Sequence, residues 1–139
     1  MEIEIFIPII PPTVTHQEKK VRVVRGKPVF YEPAELKAAR QLFTDWLAKY
    51  TPKEPMTGAV VLEVVWQFPA DERHPEPTPK TTPPDTDNLQ KLLKDCMTAA
   101  RWWKDDAQVW REKIMKVYMD QPGIYIRAEC DGGAGGDDE

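Results

Sequence analysis

GAVVLEVVWQF, residues 58–68, decides how the rest of the chain is read. It is rich in β-branched and aromatic side chains, which suit the pleated, half-buried surface of a sheet, and is predicted to be a central strand. After it, PADERHPEPTPKTTPP (69–84) holds six prolines among polar residues. Proline removes the backbone donor that a helix or ladder needs, so a mobile loop is expected there. That loop is either a flap over a substrate or an inert insertion. A helix is predicted from about Asp87 to Ala100, because Leu89, Leu92, Leu93, Cys96 and Ala100 recur at steps of three and four. Two strands follow, at about 107–119 and 123–129, separated by the turn Gln121-Pro122-Gly123.

Working back from residue 58, a helix is predicted from Pro33, which suits a first helical turn, to about Tyr50. Its apolar face is Leu36, Ala39, Phe43, Trp46, Leu47 and Tyr50. Residues 20–24 and 28–31 read as a hairpin through Arg25-Gly26-Lys27, and residues 2–7 alternate Glu with Ile or Phe, the period of a strand. The order strand, hairpin, helix, strand, helix, strand, strand implies an α+β domain, a mixed β-sheet with two main helices packed on it. One domain over 1–130 is expected, with an acidic, glycine-rich and disordered tail over 131–139.

Composition narrows the class of function. Hydrophobic residues are 41% and charged residues 30% of the 139, a globular balance, and no apolar run reaches a membrane span. No positively charged stretch precedes the apolar N-terminal segment, so no signal peptide is read and a cytoplasmic location is expected. Cys96 and Cys130 fit no zinc or redox spacing and are expected to be buried thiols. No glycine-rich phosphate loop, HxxxH pattern or Ser-His-Asp set is present, which argues against an ATPase with its nucleotide cofactor, a zinc enzyme and a serine hydrolase.

The net charge of −4 argues at first against nucleic acid, but four of the 23 acids lie in the tail, leaving 19 acids against 19 bases in the body. QEKKVRVVRGK (17–27) concentrates five bases against one acid. Lys19, Lys20, Arg22, Arg25 and Lys27 suit either a track for backbone phosphates or a charged edge that discourages strand pairing between molecules.

The chemistry-bearing residues flank the second helix. Asp87 is well placed as its N-cap, and capping alone explains one aspartate. Asp85 two residues earlier, extended after Pro83-Pro84, points the same way, and two carboxylates at one point are costly without a cation between them. Mg²⁺ favours such hard oxygen ligands. Lys91 lies one helical turn after Asp87, either as an ordinary ion pair or as an ammonium beside a metal site. Asp95 continues that face and is expected to be solvated. Asp105-Asp106 alone reads as a polar turn, and it gains meaning only beside Asp85 and Asp87.

DTDNLQKLLKD (85–95) followed by WWKDDAQV (102–109) resembles the RusA family of Holliday junction resolvases, often carried by phages and prophages. The matching positions are Asp85, Asp87, Asn88, Leu89, Lys91, Asp95, Trp103, Asp105, Asp106, Gln108 and Val109. Lys116 also resembles a family lysine and is grouped with the DNA-contacting bases. The family often has a glycine shortly before the Trp-x-Asp-Asp turn, where this chain has Ala100-Arg101. The resemblance implies a homodimer that cuts four-way junction DNA with Mg²⁺ or Mn²⁺. It implies Asp85, Asp87 and Asp106 as metal ligands, with Asp105 in reserve, and Lys91 as the catalytic lysine. Two other readings stand beside it: a metal nuclease acting on flaps or replication intermediates, and a junction-binding protein that does not cut.

Overall fold

The computed structural model describes residues 1–13, 20–31 and 33–131. Its elements are β1 (Glu2–Ile7), β2 (Lys20–Val24), β3 (Lys27–Tyr31), α1 (Ala34–Ala48), β4 (Val60–Pro69), β5 (Thr78–Pro79), α2 (Thr86–Ala99), β6 (Val109–Met119) and β7 (Gly123–Cys130). A short 3-10 turn, Asp106–Gln108, leads into β6. Five strands form one sheet in the order β1-β7-β4-β6-β5, and β2-β3 is a separate hairpin. The fold is the expected α+β class, with residues 58–68 supplying its central strand.

β4 alternates buried and half-buried residues along its length. Val60, Leu62, Val64, Trp66 and Phe68 turn to the helices, beside Ile124, Ile126 and Ala128 of β7 and Ile5 and Ile7 of β1, all in one buried cluster. The helices close the cluster with Leu36, Phe43 and Leu47 of α1 and Leu89, Leu92, Leu93, Cys96 and Met97 of α2. Cys96 and Cys130 are buried and form no disulfide. No helix among the described residues is long and apolar enough to cross a membrane.

β6 and β7 are joined by only three residues, yet they are not neighbours, because β4 lies between them, parallel to β6 and antiparallel to β7. Two strand spacings are about 9–10 Å, which a short extended connection can cross. Inserting β4 gives its backbone a ladder on both sides, so no donor or acceptor of this apolar strand faces a dry edge. The proline-rich stretch 69–84 contributes β5, which pairs with β6 at Thr78–Tyr118 and Pro79–Val117. His74, within it, stacks on Tyr118 with ring centroids 4.3 Å apart.

The rotation of α2 is set by a polar contact inside the core. Gln90 is 2% exposed. Its Oε1 accepts from the Trp66 indole at 2.8 Å, while its Nε2 donates to Glu112 of β6 at 3.2 Å. The helix ends in a Schellman motif: Trp102 N–H reaches Met97 O and Arg101 N–H reaches Thr98 O, each at 3.0 Å. Arg101 takes the left-handed position of that motif, with φ of 68°. A side chain at positive φ crowds its own carbonyl, so glycine would suit this position better than the arginine that holds it.

Two outcomes are expected. Arg101→Gly should stabilise the fold by up to about 1 kcal/mol by relieving that crowding, visible as a higher denaturation midpoint with an unchanged denaturant slope. Gln90→Ala should destabilise by about 1–3 kcal/mol, because it strands the Trp66 N–H in the core. A Gln90→Ala midpoint equal to the parent's would show that the bond does not hold the helix.

Candidate functional site

The residues singled out in the sequence fall at the two ends of α2. Asp85, not Asp87, is the N-cap, with extended backbone (φ −72°, ψ 151°) and its carbonyl accepting from Leu89 N–H at 3.1 Å. The cap shifts because the helix begins at Thr86, one residue before the expected start. A capping aspartate normally turns its carboxylate onto the free amides of the first turn. Here Asp85 makes no side-chain cap bond. Asp87, in the first turn, makes only a 3.2 Å contact with the Asn88 N–H. Both acids are exposed at the positive end of the helix dipole, where negative charge is favoured.

Lys91 does not pair back to Asp87. Its ammonium lies 3.1 Å from Asp95, one turn further on, and Asp95 also faces Arg40 of α1 at 3.6 Å. Asp95 is therefore not a solvated bystander: its side chain is 28% exposed and bridges two cations. The hydrogen bond and charge of Asp95 raise the pKa of Lys91, aided by Asp106 and opposed by burial and Arg40. Lys91 accordingly stays an ammonium across the neutral range.

The acidic turn lies beside the other end of α2. An open depression of about 540 Å³ is lined by Arg40, Asp95, Thr98, Lys104, Asp105 and Asp106. Asp105 is engaged structurally: its carboxylate accepts from Ala107 N–H at 2.8 Å, and Gln108 completes the capping box. Gln108 also donates to the carbonyls of Met56 and Gly58 at 3.0 and 3.1 Å, tying the turn to the chain entering β4. The two tryptophans anchor the same turn, Trp102 donating to Leu47 O at 3.1 Å and Trp103 to Thr98 Oγ1 at 2.7 Å. Asp106 is half-buried, and among the described residues its carboxylate has no hydrogen-bond partner.

Carboxylates suit Mg²⁺, which keeps several waters and commonly takes one or two protein carboxylates together with substrate phosphates. Asp85 and Asp87 fit that pattern as a pair. Asp106 lies in the turn after the helix and acts electrostatically on Lys91, one turn past Asp87. Among the described residues no three Asp, Glu, His or Cys side chains are gathered where they could hold one ion.

The expected phosphate-contacting bases fall in two places, the β2-β3 hairpin and β6. Lys19 lies outside the described residues, and Lys20 and Arg22 belong to β2. Arg25 and Lys27 are exposed at the hairpin tip, where Arg25 and Gly26 both have positive φ, the turn that suits the twist of a two-residue hairpin. Lys116 is different. Half-buried on β6, it donates to the carbonyls of Thr82 and Pro84, each at 2.8 Å. Burial and the nearby Lys80 charge lower its pKa, against the opposing pull of Asp85 and Tyr118. Lys80 and Thr82 were not legible as part of the site, because nothing in a proline-rich loop signals that it returns to the sheet.

A mixed sheet with unengaged aspartates at a helix N-terminus and a second acidic turn suits an enzyme that handles phosphodiesters. The family model for endodeoxyribonuclease RusA matches residues 9–129. The chain belongs to that family, and it is an endodeoxyribonuclease. It is 33% identical to the crossover junction endodeoxyribonuclease rusA of Lactococcus phage r1t over 119 residues, covering 81% of this chain and 86% of that one. It is also 29% identical to the uncharacterised protein YqaN of Bacillus subtilis strain 168 over 112 residues, 73% of this chain and 78% of the other.

The Lys91–Asp95 pair carries a pH dependence. Because the pKa of Lys91 is raised in the fold, the pair's stabilisation is complete below the ordinary lysine pKa and disappears as pH climbs past the raised value. Asp95→Asn should return Lys91 toward its ordinary pKa, followed by side-chain NMR of the Lys91 ε position through an alkaline titration. An unmoved titration would assign the shift to Asp106 instead.

Proposed function

We propose that this endodeoxyribonuclease resolves four-way DNA junctions, as a cytoplasmic homodimer, by phosphodiester hydrolysis dependent on Mg²⁺ or Mn²⁺. The observation that carries the reading is the N-terminus of α2, where Asp85 occupies the cap without using its carboxylate as a cap. Asp85 and Asp87 hold the cation. When bound, it supplies a water of lowered pKa and offsets negative charge on the phosphate. Lys91, kept protonated by Asp95, stabilises charge at the scissile phosphate. Asp106, a half-buried residue whose carboxylate takes no hydrogen bond among the described residues, is the third candidate ligand, and the engagement of Asp105 in its own turn supports keeping it in reserve. The basic run Lys19, Lys20, Arg22, Arg25 and Lys27 contacts backbone phosphates, which position DNA without reading its sequence.

The placement of the three acids bears on the dimer. One chain offers two acids at the start of α2 and a third in the turn after it, and among the described residues the three are not gathered at one point. A two-fold partner that sets the α2 N-terminus of one chain against the acidic turn of the other would complete two equivalent sites, matching the two strands that a symmetric junction presents for cutting.

Asp85→Asn and Asp87→Asn should each lower junction cleavage by more than about a hundredfold, the scale of losing a group that offsets developing charge, with junction binding kept in metal-free buffer. Full activity in both variants would remove the assignment. Cleavage of junction, flap and linear duplex compared side by side separates junction resolution from other structure-specific cutting, and nick-free binding at every metal concentration would mark a non-cutting binder. Mixing Asp85→Asn chains with Asp106→Asn chains tests the shared site. If each site draws on both chains, mixed dimers hold one intact site and nicking returns; if each site lies within a chain, the mixture stays inactive.

A further inference from the structure

We propose that Lys116 is a positioning residue for Asp85, rather than one of the bases that contact DNA; this rests on the reading of Asp85 as a cation ligand. The segment entering α2 has few means of holding itself in place. Pro83 and Pro84 have no backbone N–H, so this stretch cannot anchor itself through its own donors. Asp85 next to them makes no side-chain bond to the helix. What aims its carboxylate is therefore the path of the chain through residues 80–84.

Lys116 holds that path at three points. Its carbonyl accepts from Lys80 N–H at 3.0 Å, and its ammonium donates to the carbonyls of Thr82 and Pro84 at 2.8 Å each. Lys80 adds a brace from the same segment, its ammonium donating to Thr82 Oγ1 at 2.8 Å and to Tyr118 of β6 at 3.3 Å. An ammonium has three donors. With two of them on carbonyls and its stem half-buried, Lys116 has one left, unlike a surface lysine that tracks phosphates with a free head. Central in the ladder with β4, where it lies opposite Trp66, Lys116 transmits the position of the sheet to the residue before Asp85.

The test separates positioning from phosphate contact. Outer partners that orient a metal ligand typically cost about 10–100-fold in metal affinity when removed. Lys116→Met should weaken Mn²⁺ binding to the metal-free protein, read by calorimetry, by about tenfold or more. The Mg²⁺ concentration for half-maximal cleavage should rise in step, while junction affinity in metal-free buffer and its salt dependence stay unchanged. Lys116→Arg, which keeps two donors, should recover part of the metal affinity. The inference is overturned if Lys116→Met leaves Mn²⁺ binding unchanged but weakens junction binding and lowers the salt slope by about one, the signature of a lost phosphate contact. Should Lys116→Met fail to fold by thermal unfolding, Lys116→Gln, shorter and uncharged but with an amide that still donates, reads the same two constants. Asp85→Asn is run alongside. If it cleaves normally, the site reading fails and takes the inference with it. If it is inactive while Lys116→Met binds Mn²⁺ as the parent does, the positioning inference alone fails.

Discussion

The hydrogen bond between Trp66 and Gln90 fixes the helix on which the site depends. An indole N–H buried at the centre of a sheet needs an acceptor, and the side chain that supplies it stands on α2 between Leu89 and Leu92. A helix docked by leucines alone could rotate by a fraction of a turn at little cost, because apolar contacts are non-directional. A buried hydrogen bond is directional, and leaving it unmade costs more than forming it gains. With Gln90 turned to the core, Lys91, the next residue round the helix, lies on its exposed flank. Glu112 and Lys94 extend the lock outward to β6, at 3.2 Å from Gln90 and 3.0 Å from each other.

The two ends of this helix are finished in opposite ways. The C-terminal end is closed: its last carbonyls are taken by the amides of Arg101 and Trp102, and the following turn is held by Trp102, Trp103 and Gln108. The N-terminal end is left more open: its capping residue Asp85 makes no side-chain bond to the first-turn amides, and only Asp87 contacts one of them, that of Asn88 at 3.2 Å. A stability-driven sequence would place Asp85 on those amides, a gain of about 1 kcal/mol. Forgoing that gain leaves a carboxylate exposed beside a second one, which suits a cation and a phosphate better than it suits the fold.

Much of this was legible in the sequence because periodicity reports burial directly. The β-branched and aromatic run of β4, the three-and-four spacing in α2 and the Arg25-Gly26 turn each follow from a local rule, and each element lies within a residue or two of its expected bounds. Pairing was less legible. Gln121-Pro122-Gly123 looks like the turn of a hairpin, yet the strands it joins are separated by β4, since strand order is settled by which backbone needs two ladders and not by the turn itself. Side-chain partners were the least legible. Lys91 could pair at either i−4 or i+4, and only the position of Arg40 on a different helix decides that Asp95 is the better-held anion. A lysine on a strand gives no sign that the carbonyls of Thr82 and Pro84, 34 and 32 residues earlier, take two of its ammonium donors, as they do at Lys116.

The charge arrangement resolves the apparent conflict between an acidic chain and a polyanionic substrate. Repulsion from DNA depends on local charge within about a Debye length, roughly 8 Å at physiological salt, and not on the total. Asp95 is held between the cations Arg40 and Lys91, so its own charge is offset on this stretch of α2. Near Asp85 the ammoniums of Lys116 and Lys80 play the same part, the former close enough for Asp85 to act on its pKa. Among the described residues Asp85, Asp87 and Asp106 take part in no ion pair, unlike Asp95. A chain that carried these acids without the interleaved cations would repel the phosphate before a cation could bridge to it; a chain that paired them fully would leave no ligand for the cation. The spacing along α2 avoids both outcomes by holding the cations against Asp95 and against backbone carbonyls, close to the acids but not on them.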